Sequence, residues 1–127
     1  MALKILIVDD SITVRAVLRK ALQITDLDIA GINEATNGLE ALEVLESEDV
    51  DIVFTDLVMP EMSGERMIER LHRDGRIDEL PVIVISSAGG TPRVDRLREL
   101  GVRGFVHKPF TPEQIEELVV EHTGAEV

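Results

Sequence analysis

Asp9-Asp10, Asp56, Ser86 and Lys108 are the residues of this chain whose types and placement suggest chemistry, because each stands where a short apolar run ends. Three carboxylates brought to one place repel. Each close pair costs about 1 kcal/mol in water-like surroundings and about 4 kcal/mol at an intermediate effective dielectric. One lysine cannot balance three negative charges. An oxygen-only cluster with few ligands and open positions suits Mg²⁺, which keeps waters and shares its shell readily with phosphate oxygens. A carboxylate beside such a metal can attack phosphorus and form an acyl phosphate. The metal and a lysine would offset charge on the phosphoryl oxygens, and a hydroxyl would donate to one of them. All of this requires that residues far apart in sequence meet, so the elements that carry them decide the matter.

Two periodicities alternate along the chain. Short β-branched, apolar runs occur at Lys4–Val8, Ile29–Glu34, Asp51–Thr55, Val82–Ile85 and Gly104–His107. Ile5-Leu6-Ile7-Val8, Ile52-Val53-Phe54 and Val82-Ile83-Val84-Ile85 lack a polar face, as strands covered by helices on both sides do. Helical patterns lie between them. Val14, Val17, Leu18, Ala21 and Leu22 make one expected stripe. Asn37 is placed to cap a helix carrying Ala41, Leu42 and Leu45, with Glu40 completing a capping box. Ser63 can cap one carrying Met67, Ile68 and Leu71. Thr91-Pro92 reads as an N-cap with Pro at the first helical position, and Gly101 as the stop. Thr111 starts the last helix, with Gln114 as its capping-box partner.

This βα order, repeated five times, predicts an α/β fold, a doubly wound five-stranded parallel sheet occupying 1–127 as a single domain with its core at about 3–122. Ligands of such sheets bind beyond the C-terminal ends of the strands. Every strand except the second delivers a polar or charged group there. Scattered surface acids would not follow that pattern. Taken singly, each residue has a plainer reading: Asp9-Asp10 as a helix cap, Lys108 as a solvated charge, Ser86 as loop polarity. Met59-Pro60 and Gly64 set the loop after Asp56 under either reading.

Composition narrows the classes. A chain of 127 residues is one ordinary domain. It has no cysteine, so disulfides and thiolate metal sites are excluded. Its formal net charge of -12 opposes nucleic-acid binding and favours divalent cations and basic partner surfaces. No apolar run approaches the roughly 18 residues of a membrane span. The first run meets Asp9-Asp10 too soon for a signal peptide, so a cytoplasmic protein with no membrane partner is expected. With only a short stretch after the last helix, no effector domain is expected.

Four stretches together identify a resemblance. They are Ile7-Val8-Asp9-Asp10-Ser11, Asp56-Leu57-Val58-Met59-Pro60-Glu61-Met62-Ser63-Gly64, Pro81-Val82-Ile83-Val84-Ile85-Ser86, and Gly104-Phe105-Val106-His107-Lys108-Pro109-Phe110. In this order, each at a strand end, they resemble the receiver domains of two-component response regulators, nearest in size to the single-domain chemotaxis type. The resemblance implies a strand order of 2-1-3-4-5 and Asp56 as phosphoacceptor. The donor is then phosphohistidine on a sensor histidine kinase or a histidine phosphotransfer domain. It implies Mg²⁺, with Mn²⁺ as a substitute, held by Asp10, Asp56 and the backbone carbonyl of Val58, with Asp9 acting through a metal-bound water. Lys108 pairs with Asp56 and later with the phosphoryl group. Ser86 is the switch hydroxyl and Phe105 the aromatic coupled to it. The Lys108-Pro109 bond is often cis in the family. Output to a downstream target is expected from Thr91–Leu100, Phe105 and Thr111–Val120.

The chain departs from the common pattern in places. Phe105 replaces a frequent Tyr and so loses a ring hydroxyl. Val58 and Ala88, two positions after the phosphoacceptor and the switch residue, cannot orient water through their side chains, so slow self-dephosphorylation is expected. Gly89-Gly90 predicts a flexible fourth βα loop. Such a domain assists its own modification and is not an enzyme with turnover. An Asp-nucleophile phosphatase of the haloacid dehalogenase type is the competing reading, but it wants an acid where Val58 stands. An unphosphorylated interaction module is disfavoured by the complete acidic set. A receiver cut from a longer response regulator or hybrid kinase is compatible with everything above. His72 and His122 are expected to be solvated, and His107 to be structural.

Overall fold

The computed structural model describes residues 2–87 and 91–126, Thr91 and Pro92 by backbone alone. In chain order the elements are β1 (Leu3–Val8), α1 (Ile12–Gln23), β2 (Ile29–Ala35), α2 (Gly38–Ser47), β3 (Ile52–Thr55), α3 (Gly64–Arg73), a 3₁₀ turn (Arg76–Asp78), β4 (Val82–Ser86), α4 (Thr91–Glu99), β5 (Gly104–His107) and α5 (Pro112–Thr123). All strands are parallel, in the order β2-β1-β3-β4-β5. This is the doubly wound sheet that the alternating pattern predicts, in the order the resemblance implies.

The uninterrupted apolar runs are explained by two cores, one on each face of the sheet. Leu6, Val8, Val53, Val82 and Val84 pack with α2, α3 and α4 through residues such as Ala41, Leu45, Met67, Ile68 and Leu97. Ile5, Ile7, Ile52, Phe54, Ile83 and Ile85 pack with α1 and α5 through Leu18, Leu22, Ile115 and Val119. Successive strand residues point to opposite faces, so a strand apolar throughout must be covered twice. At about 25 cal/mol per Å² of apolar surface, these two layers are the main source of stability.

Capping matches expectation at Ser63 and Thr111, the latter with a full Thr111–Gln114 box. Asn37 caps α2 by accepting from Glu40 N at 3.0 Å. Glu40 does not close a box on Asn37, however. Its carboxylate reaches one residue further back, to Thr36 N at 3.0 Å and the Thr36 hydroxyl at 2.6 Å. Helix α4 begins at Thr91 itself, a residue earlier than expected, and the Thr91 side chain lies outside the described residues, as do Ala88 and Gly89-Gly90. Gly101, with φ of 111°, follows α4 as predicted. Val17 is a correction: it is 53% exposed. It lies about 100° around the helix from Leu18, beyond the edge of a stripe centred on Leu18, Ala21 and Leu22.

Candidate functional site

Register places the acids. Val8 pairs with Thr55 across β1 and β3, so the next residues, Asp9 and Asp56, leave the sheet side by side at about one strand spacing, ~4.8 Å. This is the point at which strand order reverses direction, where open α/β sheets bind ligands. Backbone bonds hold both ends: Asp9 N donates to Ala35 O at 3.0 Å and Asp56 N to Val8 O at 2.9 Å.

Each of Asp9, Asp10 and Asp56 offers a carboxylate oxygen within 4.8 Å of the others. Asp9 is buried, Asp56 half-buried and Asp10 exposed. From the far side comes Lys108, immediately after β5. Its strand lies two places from β3, about 10 Å at normal spacing, a distance suited to a long, flexible stem. Lys108 Nζ donates to Asp56 Oδ2 and to Asp9 Oδ2, both at 3.1 Å. Burial pushes the Lys108 pKa down, but hydrogen bonds and charge from Asp9 and Asp56 outweigh it, and the net displacement is upward. The lysine is therefore an ammonium that offsets part of the acidic cluster.

The other oxygens are also placed. Asp56 Oδ1 accepts from Leu57 N at 2.7 Å, and Asp9 Oδ1 from Ser11 N at 2.9 Å. Ser11, and not either aspartate, caps α1 by accepting from Val14 N at 3.2 Å. That frees Asp9 and Asp10 from the plainer capping role.

Ser86 is buried at the end of β4, opposite His107, and its carbonyl accepts from Lys108 N at 3.4 Å. Phe105 sits in β5 opposite Val84, half-buried against the core beneath α4. Val58 lies in the loop after Asp56 and is 62% exposed. The Lys108-Pro109 peptide is cis. His72 and His107 are exposed. His122 corrects the solvated expectation: its side chain is only 15% exposed, in the last turn of α5 beside Glu121.

The loop after Asp56 needs Gly64. A Cβ there would lie 2.0 Å from Asp56 O, while Gly64 N donates to Leu57 O at 2.9 Å. The start of α3 is thus seated on the backbone of Asp56. Two supporting residues are not evident from sequence motifs. Arg15 donates to Asp9 O at 2.6 Å and to Glu34 at 2.9 Å, and Arg19 clasps the same Glu34 at 2.7 Å. The only sequence signal is their spacing of four on α1, which places both on one side of that helix.

An all-oxygen trio with one open, exposed member matches the ligand preference of a hard divalent cation. Over residues 5–120 the chain matches the response regulator receiver domain model. The chain belongs to that family. The receiver is 33% identical over 123 residues to a chemotaxis protein CheY homolog of Campylobacter jejuni, covering 96% of this chain and 93% of that one. It is 36% identical over 116 residues to chemotaxis protein CheY1 of Helicobacter pylori, covering 91% and 92%. Chemotaxis protein CheY4 of Vibrio cholerae shares the fold, with a TM-score of 0.84 and 24% identity over 96% of this chain and 99% of that one. The receiver accordingly has a phosphoryl-accepting role in two-component signalling, a class of domain that interacts with histidine kinases and downstream targets. Among the described residues no helix is long and apolar enough to cross a membrane.

Proposed function

We propose that this receiver takes a phosphoryl group from phosphohistidine, on a sensor histidine kinase or a histidine phosphotransfer domain, onto Asp56. The supporting observation is the meeting of Asp9, Asp10 and Asp56 within 4.8 Å with Lys108 bonded to two of them. An Asp56 carboxylate oxygen attacks phosphorus, the P–N bond to imidazole breaks, and an acyl phosphate forms. Asp10, Asp56 and the Val58 carbonyl would hold Mg²⁺ or Mn²⁺, and Asp9 would act through a bound water. The ion, when bound, offsets charge on the phosphoryl oxygens. Lys108 supplies a second positive charge, and the Ser86 hydroxyl donates to a phosphoryl oxygen. Phe105 follows Ser86 and alters the surface offered to a downstream target. The names of the relatives favour a chemotaxis pathway. The domain assists its own modification and turns over no substrate. At the position where an Asp-nucleophile phosphatase places its second acid stands Val58, which supports a switch and not an enzyme.

The test is Mg²⁺-dependent labelling of the protein by a small phosphodonor. Wild type is labelled, chelation abolishes the label, and Asp56→Asn takes none. Persistent label in Asp56→Asn, or steady release of phosphate over many turnovers, refutes the assignment.

A further inference from the structure

Among the described side chains, helix α4 buries the fewest of the five helices. Of its nine residues five are charged: Arg93, Asp95, Arg96, Arg98 and Glu99. Among its described side chains only Leu97 is buried, whereas α3 buries Met67, Ile68 and Leu71 and α1 buries Leu18, Ala21 and Leu22. Two arginines hold it instead. Near its start, Arg93 Nη2 pairs with Glu65 Oε1 at 2.6 Å. Glu65 directly follows Gly64, the residue seated on the Asp56 carbonyl. Toward its end, the Arg98 guanidinium lies over the Phe105 ring, 5.0 Å from the centroid. A guanidinium stacked on a ring face at this distance is an attractive cation–π contact. One helix is therefore tied by charge to the first turn of α3, which is seated on the backbone of Asp56, and to the aromatic that lies in register beside β4.

We propose that Arg93 and Arg98 form a latch that holds α4 and the Phe105 ring in the resting arrangement, and that the latch sets how readily the receiver takes up a phosphoryl group. This rests on the functional reading above. Phe105 has no hydroxyl with which to fix its orientation, so the cation above the ring does that work. Modification of Asp56 favours an arrangement in which Ser86 and Phe105 have moved, and any contact made only in the resting arrangement opposes it. Contacts of this exposed kind each bias such an equilibrium by about two- to fivefold. The two arginines are about 7.5 Å apart along the helix axis, far enough for their effects to approach multiplication.

The experiment compares wild type with Arg98→Met, which keeps the stem and loses the charge, Arg98→Lys, which keeps a cation, and Glu65→Gln, which releases Arg93 from the other side. Two readouts are taken: the initial rate of labelling by phosphoramidate with Mg²⁺, and NMR of ring-labelled Phe. The chain has three Phe, so the Phe105 signal is assigned with Phe105→Leu. The expected result is labelling about two- to fivefold faster in Arg98→Met and in Glu65→Gln, about four- to twenty-fivefold faster in the double variant, and near wild type in Arg98→Lys. Without donor, the Phe105 ring signal of Arg98→Met should lie displaced toward that of phosphorylated wild type. Unchanged labelling with an unmoved ring signal overturns the latch, and so does Arg98→Lys behaving as Arg98→Met. If wild type itself takes no label, the functional reading fails and the latch fails with it. If wild type is labelled and the variants match it, only the latch fails.

Discussion

Lys108 Nζ donates to Asp9 Oδ2 at 3.1 Å, a bond joining residues 99 positions apart. The same ammonium bonds Asp56 Oδ2 at the same length. Asp9 is the more buried partner and is fixed further by Ser11 N, Ala35 O and Arg15. Lys108 can therefore release Asp56 while remaining tethered to Asp9. Under the proposed function, one lysine would thereby serve both the unmodified carboxylate and, later, the phosphoryl oxygens without leaving the site. It also gives Asp9 a direct role that a water-mediated metal contact alone would not.

Replacing Lys108 by Met leaves the nearly buried Asp9 without its cationic partner. Charge-assisted bonds of this type are worth about 1.5–3 kcal/mol, and removing one partner costs the remaining charge its compensation. We expect Lys108→Met to lose about 1–3 kcal/mol without divalent ions. Part of that loss should return with Mg²⁺, because the acids then gain another cation. Thermal denaturation with and without Mg²⁺ checks this. An equal Mg²⁺-induced rise in Tm for both proteins would count against it.

Gly64→Ala should be costly for a reason confined to one contact. The added methyl group would meet the Asp56 carbonyl oxygen at 2.0 Å, and backbone cannot give as a side-chain tip can. Overpacking of this kind costs about 1–3 kcal/mol, and it should slow labelling at Asp56 by moving that residue. Gly31→Ala is the control. A Cβ there meets nothing within 4 Å, so it should be neutral or stabilising by up to about 1 kcal/mol. Denaturant midpoints for the pair decide the point, and similar values would refute it.

Much of this was legible in advance, for identifiable reasons. Strands such as Ile5–Val8 are covered on both faces, so their composition is unambiguous, and the parallel sheet follows from that. Strand order is different, since apolar patterning is blind to which way each crossover turns. The site acids were legible because all stand directly after strands. Their partners were less so. Arg15 reaches the Asp9 carbonyl from one turn into α1, a contact set by how the helix leans on the sheet. Val17 failed because a helical residue at the margin of the apolar stripe is buried or exposed according to its neighbours, which spacing alone does not specify. His122 failed because its polar type outweighed its place, seven residues after Ile115 and three after Val119, on the buried stripe of α5.

The Glu34 carboxylate is held below its ordinary pKa, first by hydrogen bonding to Arg19; burial, the next influence in size, opposes this, and hydrogen bonding to Arg15 with the charge of both arginines keeps the net displacement downward. A depressed folded-state pKa means that the contribution is complete above the unfolded value, about 4.3, and is lost as pH falls through the lower folded value. Its side chain is 32% exposed, so solvent screening limits the contribution to about 0.5–1 kcal/mol. Glu34→Gln should therefore be less stable than wild type by that amount from neutral pH down to about 5, with the gap closing below about 4. Urea midpoints across that range test the sign. A gap that widens toward acid would contradict it.

Val58 stands two residues after Asp56 with its side chain largely in solvent. An attacking water approaching an acyl phosphate at Asp56 finds no hydrogen-bonding side chain at that position. Val58→Asn supplies an amide there without disturbing the core. One hydrogen bond to the water is worth about 0.5–1.5 kcal/mol, so decay of the acyl phosphate should quicken by about two- to tenfold. Val58→Ala removes the isopropyl group and adds no polar atom, so its decay should stay near wild type. The comparison separates orientation of water from simple access to the site. Decay is followed after removing the phosphodonor, with Mg²⁺ present throughout. If alanine accelerates decay as much as asparagine, shielding by the valine is the operative effect. If neither changes the rate, the lifetime is set elsewhere.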